Sequence, residues 1–278
     1  MIQNQPSPRA PHEPAQPETG SAPQAAAFFD VDNTIIRGAS AFHLAKALYK
    51  QGFFRTRDII TFGLKQTKYV LFGENTRDID TLRSRALDLM SGHSVAEVIT
   101  VGEDVYDQVL AHRIYPGTKT LLDAHIAAGH QVWLVTATPI EIGALIARRL
   151  GATGALATIA EHDASGYYTG RLVGDMMHGA AKSRGVHHLA KEHNLDLEAS
   201  YAYGDSTNDI ALLNTVGNPC AINPDARLRR HAQEVGWPIR EFRGKRRVAK
   251  RGITTASWTG LIWVVALVAK RTLAKIKR

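Results

Sequence analysis

Cysteine is nearly absent from this 278-residue chain: Cys220 stands alone. No internal disulfide can form, and a reducing compartment is expected. The setting of Cys220, "GNPCAINP", suits a small buried residue rather than a reactive thiol. Large apolar side chains are nearly missing from residues 1–24, which hold six of the eleven prolines. Such a segment cannot offset its ordering entropy by burial, so a disordered leader is expected; it also lacks the apolar core of a signal peptide. Acids are almost missing from Arg240–Arg278, where Glu241 faces twelve Lys and Arg. The chain's formal charge of +8 therefore divides into +11 in this tail and −3 elsewhere. A mildly acidic body argues against a nucleic-acid-binding surface. No internal repeat is visible.

What is present is alternation. Short apolar runs close on Gly, Asp or Thr at 25–30, 130–136, 154–161, 200–205 and 219–223, and helical patterns fill 118–129, 139–152 and 182–194. Buried strands alternating with helices predict an α/β fold with a doubly wound parallel sheet. Two capping boxes are expected, Thr138-Pro139-Ile140-Glu141 and Ser206-Thr207-Asn208-Asp209. Residues 162–172, "HDASGYYTGRL", read as a hairpin. Residues 40–112 carry helical spacing with no clear strand, which predicts an all-helical insertion after the first strand. Its aromatics, Phe42, Phe53, Phe54, Phe62, Tyr69 and Phe72, are expected inside a small helical bundle, the alternative being an apolar substrate entrance.

The stretch "AAFFDVDNTI" sets Asp30 and Asp32 two positions apart at the end of a core strand. On an extended strand that spacing points both side chains to one face, where they repel unless a cation joins them. Magnesium suits: it prefers carboxylate oxygen and works beside phosphates. Further parts of a phosphoryl-transfer site fall at other strand ends or helix starts, the edge where open α/β sheets bind ligands. Thr136 offers a hydroxyl, Lys182 a cation near a helix start, and "GDSTND" brings Asp205 and Asp209 after a tight Gly204 turn. The histidines at 162, 178, 187, 188 and 193 have no metal-ligand spacing and are expected at the surface. A response-regulator receiver domain would need about half this length and an internal nucleophile strand, so that reading is set aside.

Over residues 24–240 the chain resembles the haloacid dehalogenase-like (HAD) superfamily. Asp30-Val31-Asp32-Asn33-Thr34 matches its D-x-D-x-T motif, Thr136 its second, Lys182 its third and Gly204–Asp209 its acidic fourth. The helical insertion between the first two motifs resembles the cap of the phosphoserine-phosphatase-like branch. The resemblance implies a Rossmann-like core at 25–39 and 113–240, with a cap at 40–112. It implies that Asp30 attacks phosphorus to form an aspartyl-phosphate, and that Asp32 protonates the leaving oxygen and then activates water. Thr136, Lys182 and Asn208 would hold phosphoryl oxygens. Mg2+ would be held by Asp30, Asp205 and the backbone carbonyl of Asp32, with Asp209 orienting the shell. The family's phosphoserine phosphatases carry a glutamate shortly after the first motif; residues 36–48 contain no acid, so the amino acid is not read in that way.

Within the tail, residues 252–269 carry no charge and lie between two basic clusters. As a helix the run spans about 27 Å, close to a bilayer's hydrocarbon core. Residues 241–278 are therefore expected to attach the protein to the cytoplasmic side of a membrane, with the hydrophobic C-terminal helix lying on or crossing it. The reading reached from the sequence is a Mg2+-dependent phosphomonoesterase acting on a small or lipid-linked phosphate monoester. The alternatives are a phosphomutase and a non-catalytic membrane adaptor.

Overall fold

The computed structural model describes residues 23–53 and 90–243. The expected leader (1–24, all but its last two residues), residues 54–89 of the expected cap with three of its aromatics beyond Phe54, Phe54 itself, and the 252–269 run lie outside the described residues. No helix among the described residues is long and apolar enough to cross a membrane.

Six parallel strands form one sheet in the order β3-β2-β1-β6-β7-β8. They are β1 Ala26–Asp30, β2 Gln131–Pro139, β3 Gly154–Thr158, β6 Tyr201–Gly204, β7 Asn218–Ile222 and β8 Ile239–Arg240. All five residues of β1 are buried, as a central parallel strand covered on both faces requires. Its side chains alternate between two cores. Ala27 and Phe29 join a cluster with Leu122, Leu134, Ile142 and Ile222. Ala26 and Phe28 join another with Val186, Leu189, Leu212 and Leu228 on the opposite face. Apolar packing on both faces makes the sheet doubly wound, as expected. Cys220 lies buried on β7.

The first face is covered by α2 (Val95–Val105), α3 (Pro116–Ala127) and α4 (Ile140–Leu150), the second by α5 (Ala180–Glu192), the single turn α6 (Ile210–Leu213) and α7 (Ala226–Val235). Helix α1 (Ser40–Lys50) follows the first motif and packs Leu44 and Leu48 into the first cluster beside Val98 and Val101 of α2. The described parts of 40–112 are helical, with no strand. The helical pattern expected over 40–112 is not uniform at its end: a π-turn at Tyr106–Leu110 and a 3-10 turn at Ala111–Arg113 close it. Helix α2 approaches α4 closely at Gly102, where a Cβ would meet Ile142 Cδ1 at 2.3 Å.

The predicted hairpin forms, with β4 (Ala160–His162) antiparallel to β5 (Tyr168–Leu172) and Gly166 at φ 79° in the turn. The Ser206–Asp209 capping box also forms. The Thr138–Glu141 box does not. Strand β2 runs on to Pro139, the helix begins at Ile140 and no side chain caps it. Thr138 is instead drawn to other hydroxyls, as described below.

Candidate active site

The order of the sheet reverses at β1, which lies between β2 and β6. At such a switch point the carboxyl ends of the strands open a crevice, and the expected site residues gather there. Asp30 ends β1; Asp205 follows β6; Asp209 closes the 3-10 turn that opens α6; and Lys182 lies in the first turn of α5. All four are buried.

The Lys182 ammonium lies between two carboxylates, donating to Asp30 Oδ1 at 2.5 Å and Asp209 Oδ1 at 2.7 Å. Asp209 Oδ2 accepts from the backbone N–H groups of Asp205 and Ser206 and from Ser206 Oγ, each at 3.1 Å. This fold-back requires glycine at 204, because a Cβ there would lie 2.5 Å from Asp209 Cβ. Oxygens of Asp30, Asp205 and Asp209 approach within 4.8 Å of one another.

Three buried carboxylates and one ammonium carry a net charge of −2 when ionised, and the protonation equilibria register the strain. Burial, then the Asp209 and Asp32 charges working against Lys182, raises the Asp30 carboxyl to about 7. Burial, then Asp30 and Asp209, raises Asp205 to about 9. Burial alone would lower Lys182, but the attraction of Asp30 and Asp209 outweighs it and holds the ammonium above its usual range. A divalent cation on the oxygens of Asp30 and Asp205 would cancel the excess charge, so the donor set fits Mg2+.

Asp32 acts on the acidic group through its charge but is not one of the three residues whose oxygens approach one another. Strand β1 stops at Asp30, and the chain turns at Asn33, whose φ is 60°. Asp32 forms an isolated bridge to Ile36 beyond the strand end, and its carboxylate reaches the start of α1. There Oδ1 accepts from Ser40 N at 2.8 Å and Ser40 Oγ at 2.6 Å. Burial raises its carboxyl, and the two Ser40 bonds oppose that rise. The Thr136 hydroxyl is buried and donates to Thr138 Oγ1 at 3.0 Å. Asn208 lies exposed on the 3-10 turn, away from the acidic group's interior. His162, His178, His187, His188 and His193 are all exposed.

Sequence reasoning missed three residues that frame the site. Ser40 opens a helix, a common place for serine, and nothing local marks its partner eight positions back. Asn223, buried at φ 47°, donates to Asn33 O at 3.2 Å and accepts from the N–H groups of Phe242 (2.7 Å) and Arg243 (3.1 Å). It thereby ties the first-motif loop to the segment after β8. Arg243 donates to Asn223 O, and its charge lowers the Asp205 carboxyl against the stronger upward pressures.

Residues 27–214 match the family model of the haloacid dehalogenase-like hydrolases. Among curated proteins the chain is similar to phosphoserine phosphatase SerB1 of Mycobacterium tuberculosis (strain ATCC 25618 / H37Rv). The two are 49% identical over 233 residues, covering 84% of this chain and 75% of the relative. Among solved structures it resembles a protein of unknown function from Bordetella pertussis Tohama I, with a TM-score of 0.68 and 30% identity over 80% of this chain and all of the other. It also shares its fold with a substrate-bound phosphoserine phosphatase, at a TM-score of 0.54 and 19% identity over 79% of this chain and 94% of the other.

Proposed function

The chain belongs to the haloacid dehalogenase-like hydrolases, and from that premise we propose that it is a Mg2+-dependent phosphomonoesterase of the phosphoserine-phosphatase-like branch. The observation that carries the reading is the buried acidic group at the sheet's switch point, whose excess negative charge a divalent cation would balance.

In this reading Asp30 is the nucleophile. Its oxygen bonds to phosphorus as the ester P–O bond breaks, and the leaving oxygen takes a proton from Asp32. Water then attacks the aspartyl-phosphate and gives a proton to Asp32, so that inorganic phosphate departs and both carboxyl groups are restored. The ion pair with Lys182 favours the ionised, nucleophilic form of Asp30 against the upward pressure of burial. Asp30 and Asp205 would hold Mg2+, which when bound supplies positive charge for the phosphoryl oxygens. Asp209, fixed by Ser206 and two backbone N–H groups, would orient Lys182 and the metal's surroundings. Thr136 would have to turn from Thr138 to donate to a phosphoryl oxygen.

The name of the mycobacterial relative supports phosphoserine as one substrate to test. The acid-free stretch 36–48 and the uncharged run 252–269 between basic clusters support a broader panel, lipid-linked monoesters included, and membrane attachment. Release of the protein from membranes by salt alone would contradict insertion of that run.

The test is inorganic phosphate release from serine, histidinol, nucleoside, sugar and lysophospholipid phosphates, with Mg2+ or EDTA, for wild type and Asp30→Asn. Release that needs Mg2+ and is lost in the variant is expected. Activity surviving in Asp30→Asn would overturn the nucleophile assignment. Transfer of phosphate to another position of the product, without its release, would indicate a mutase.

A further inference from the structure

Ser40 lies fully buried at the first position of α1 and touches two hydroxyl or carboxyl partners at once. Its Oγ is 2.6 Å from Asp32 Oδ1 and 2.8 Å from Thr138 Oγ1. Thr138 is buried too, and accepts from Thr136 Oγ1 at 3.0 Å. A hydroxyl has one proton to give. With the Ser40 proton directed at the Asp32 carboxylate, the Thr138 proton must go to Ser40, and Thr136 donates to Thr138. The three hydroxyls form one oriented chain ending on Asp32. Thr138 N–H adds a bond to Thr136 Oγ1 at 3.2 Å, which stiffens the far end.

Among the described residues, both hydrogen bonds that the Asp32 carboxylate accepts fall on Oδ1. Both come from Ser40, one from its backbone and one from its hydroxyl. Among the described residues Oδ2 accepts none. One oxygen is clamped and the other is left for an incoming group, the arrangement a directed proton donor needs.

We infer that Ser40 and Thr138 are positioning residues that aim Asp32 at the leaving-group oxygen of the substrate. This rests on the reading of Asp32 as the acid proposed above. The clamp also explains why Thr138 does not cap α4. Its hydroxyl is the link between the second-motif strand and α1, and capping would break the chain.

The test exploits leaving-group chemistry. An alkyl phosphate needs a proton on its departing oxygen, whereas p-nitrophenolate departs without one. kcat/KM would be measured for full-length protein with Mg2+ on glycerol 2-phosphate and on p-nitrophenyl phosphate, for wild type, Ser40→Ala, Thr138→Val, Thr138→Ser and Asp32→Asn. For Ser40→Ala we expect a loss of about 10- to 100-fold on the alkyl ester, a fraction of the 10²–10⁴ that acid catalysis typically supplies. On the aryl ester the loss should be several-fold smaller. Thr138→Val should show the same bias more weakly, and Thr138→Ser, which keeps the hydroxyl, should behave like the wild type. Thr138→Val is nearly isosteric, so the inference remains testable if Ser40→Ala fails to fold. Equal losses on both esters in Ser40→Ala and Thr138→Val would mean a merely structural role and overturn the inference. If Asp32→Asn shows no leaving-group bias, the reading of Asp32 itself fails. Bias in Asp32→Asn without bias in the hydroxyl variants would refute the positioning role alone.

Discussion

Replacing Asp205 with asparagine should stabilise the metal-free protein while removing its ability to gain from magnesium. The buried group combines Asp30, Asp205 and Asp209 with a single ammonium, Lys182. At an effective dielectric constant near 20, two unit charges 4.8 Å apart repel by about 3.5 kcal/mol. Asp205 faces two such repulsions, and the opposing attractions from Arg243 and Lys182 are weaker. The wild type relieves part of this by binding a proton, since its carboxyl is raised to about 9. The expected net gain for Asp205→Asn in EDTA at pH 8 is therefore about 2–4 kcal/mol, or roughly 5–10 °C in melting temperature for a domain of this size. Saturating Mg2+ reverses the order. At a thousand times its dissociation constant a ligand adds about 4.1 kcal/mol to the wild type. The variant, short of one metal-binding carboxylate, should gain far less. Thermal unfolding followed by tryptophan fluorescence, with EDTA or Mg2+, reads both arms. A variant less stable than wild type in EDTA at pH 8 would refute the electrostatic reasoning.

The same charges set a pH dependence. Asp30 and Asp205 have carboxyls raised above the unfolded value of 3.8, so the unfolded chain releases protons first. Stability of the metal-free protein should fall as pH rises from about 4 through about 7 and towards about 9, and the difference between Mg2+ and EDTA melting curves should widen over that window. Lys182→Met leaves Asp30 and Asp209 buried without their ammonium; a loss of about 3–5 kcal/mol in urea unfolding in EDTA at pH 8 is expected, partly recovered by a second change, Asp209→Asn. Asn223→Ala frees Asn33 O and two backbone N–H groups and places alanine at φ 47°; it should cost about 3 kcal/mol in the same assay, and an unchanged midpoint would show that the loop does not depend on it.

Much of this was legible in the chain because it depends on local pattern. The run 25–30 reads as a buried strand since Ala26, Ala27, Phe28 and Phe29 pack into apolar cores on the two faces of the sheet. The hairpin at 162–172 is marked by its Ser-Gly turn, and Ser206 and Asp209 find each other within one turn of chain. The elements that escaped depend on distant partners or too few residues. Strand β8 is two residues long and exists because β7 offers it an edge. The Thr138–Glu141 box was expected from spacing alone, yet Ser40, 98 positions away, captures the Thr138 hydroxyl. The hold of Ser40 on Asp32 could not be foreseen from period-two reasoning, because β1 ends two residues earlier and the partner opens another element. The gathering of Asp30, Lys182, Asp205 and Asp209 followed from motif order and strand ends, while the insertion of Lys182 between two carboxylates is a matter of side-chain packing.

In the proposed reaction, phosphorus is bonded to Asp30 during turnover. Acid quenching during steady-state hydrolysis, followed by borohydride reduction and peptide mass spectrometry, tests it directly. Homoserine at position 30 is expected in the wild type, and none without substrate. A trapped phosphoryl group on any other residue, or steady turnover with position 30 never modified, would contradict it.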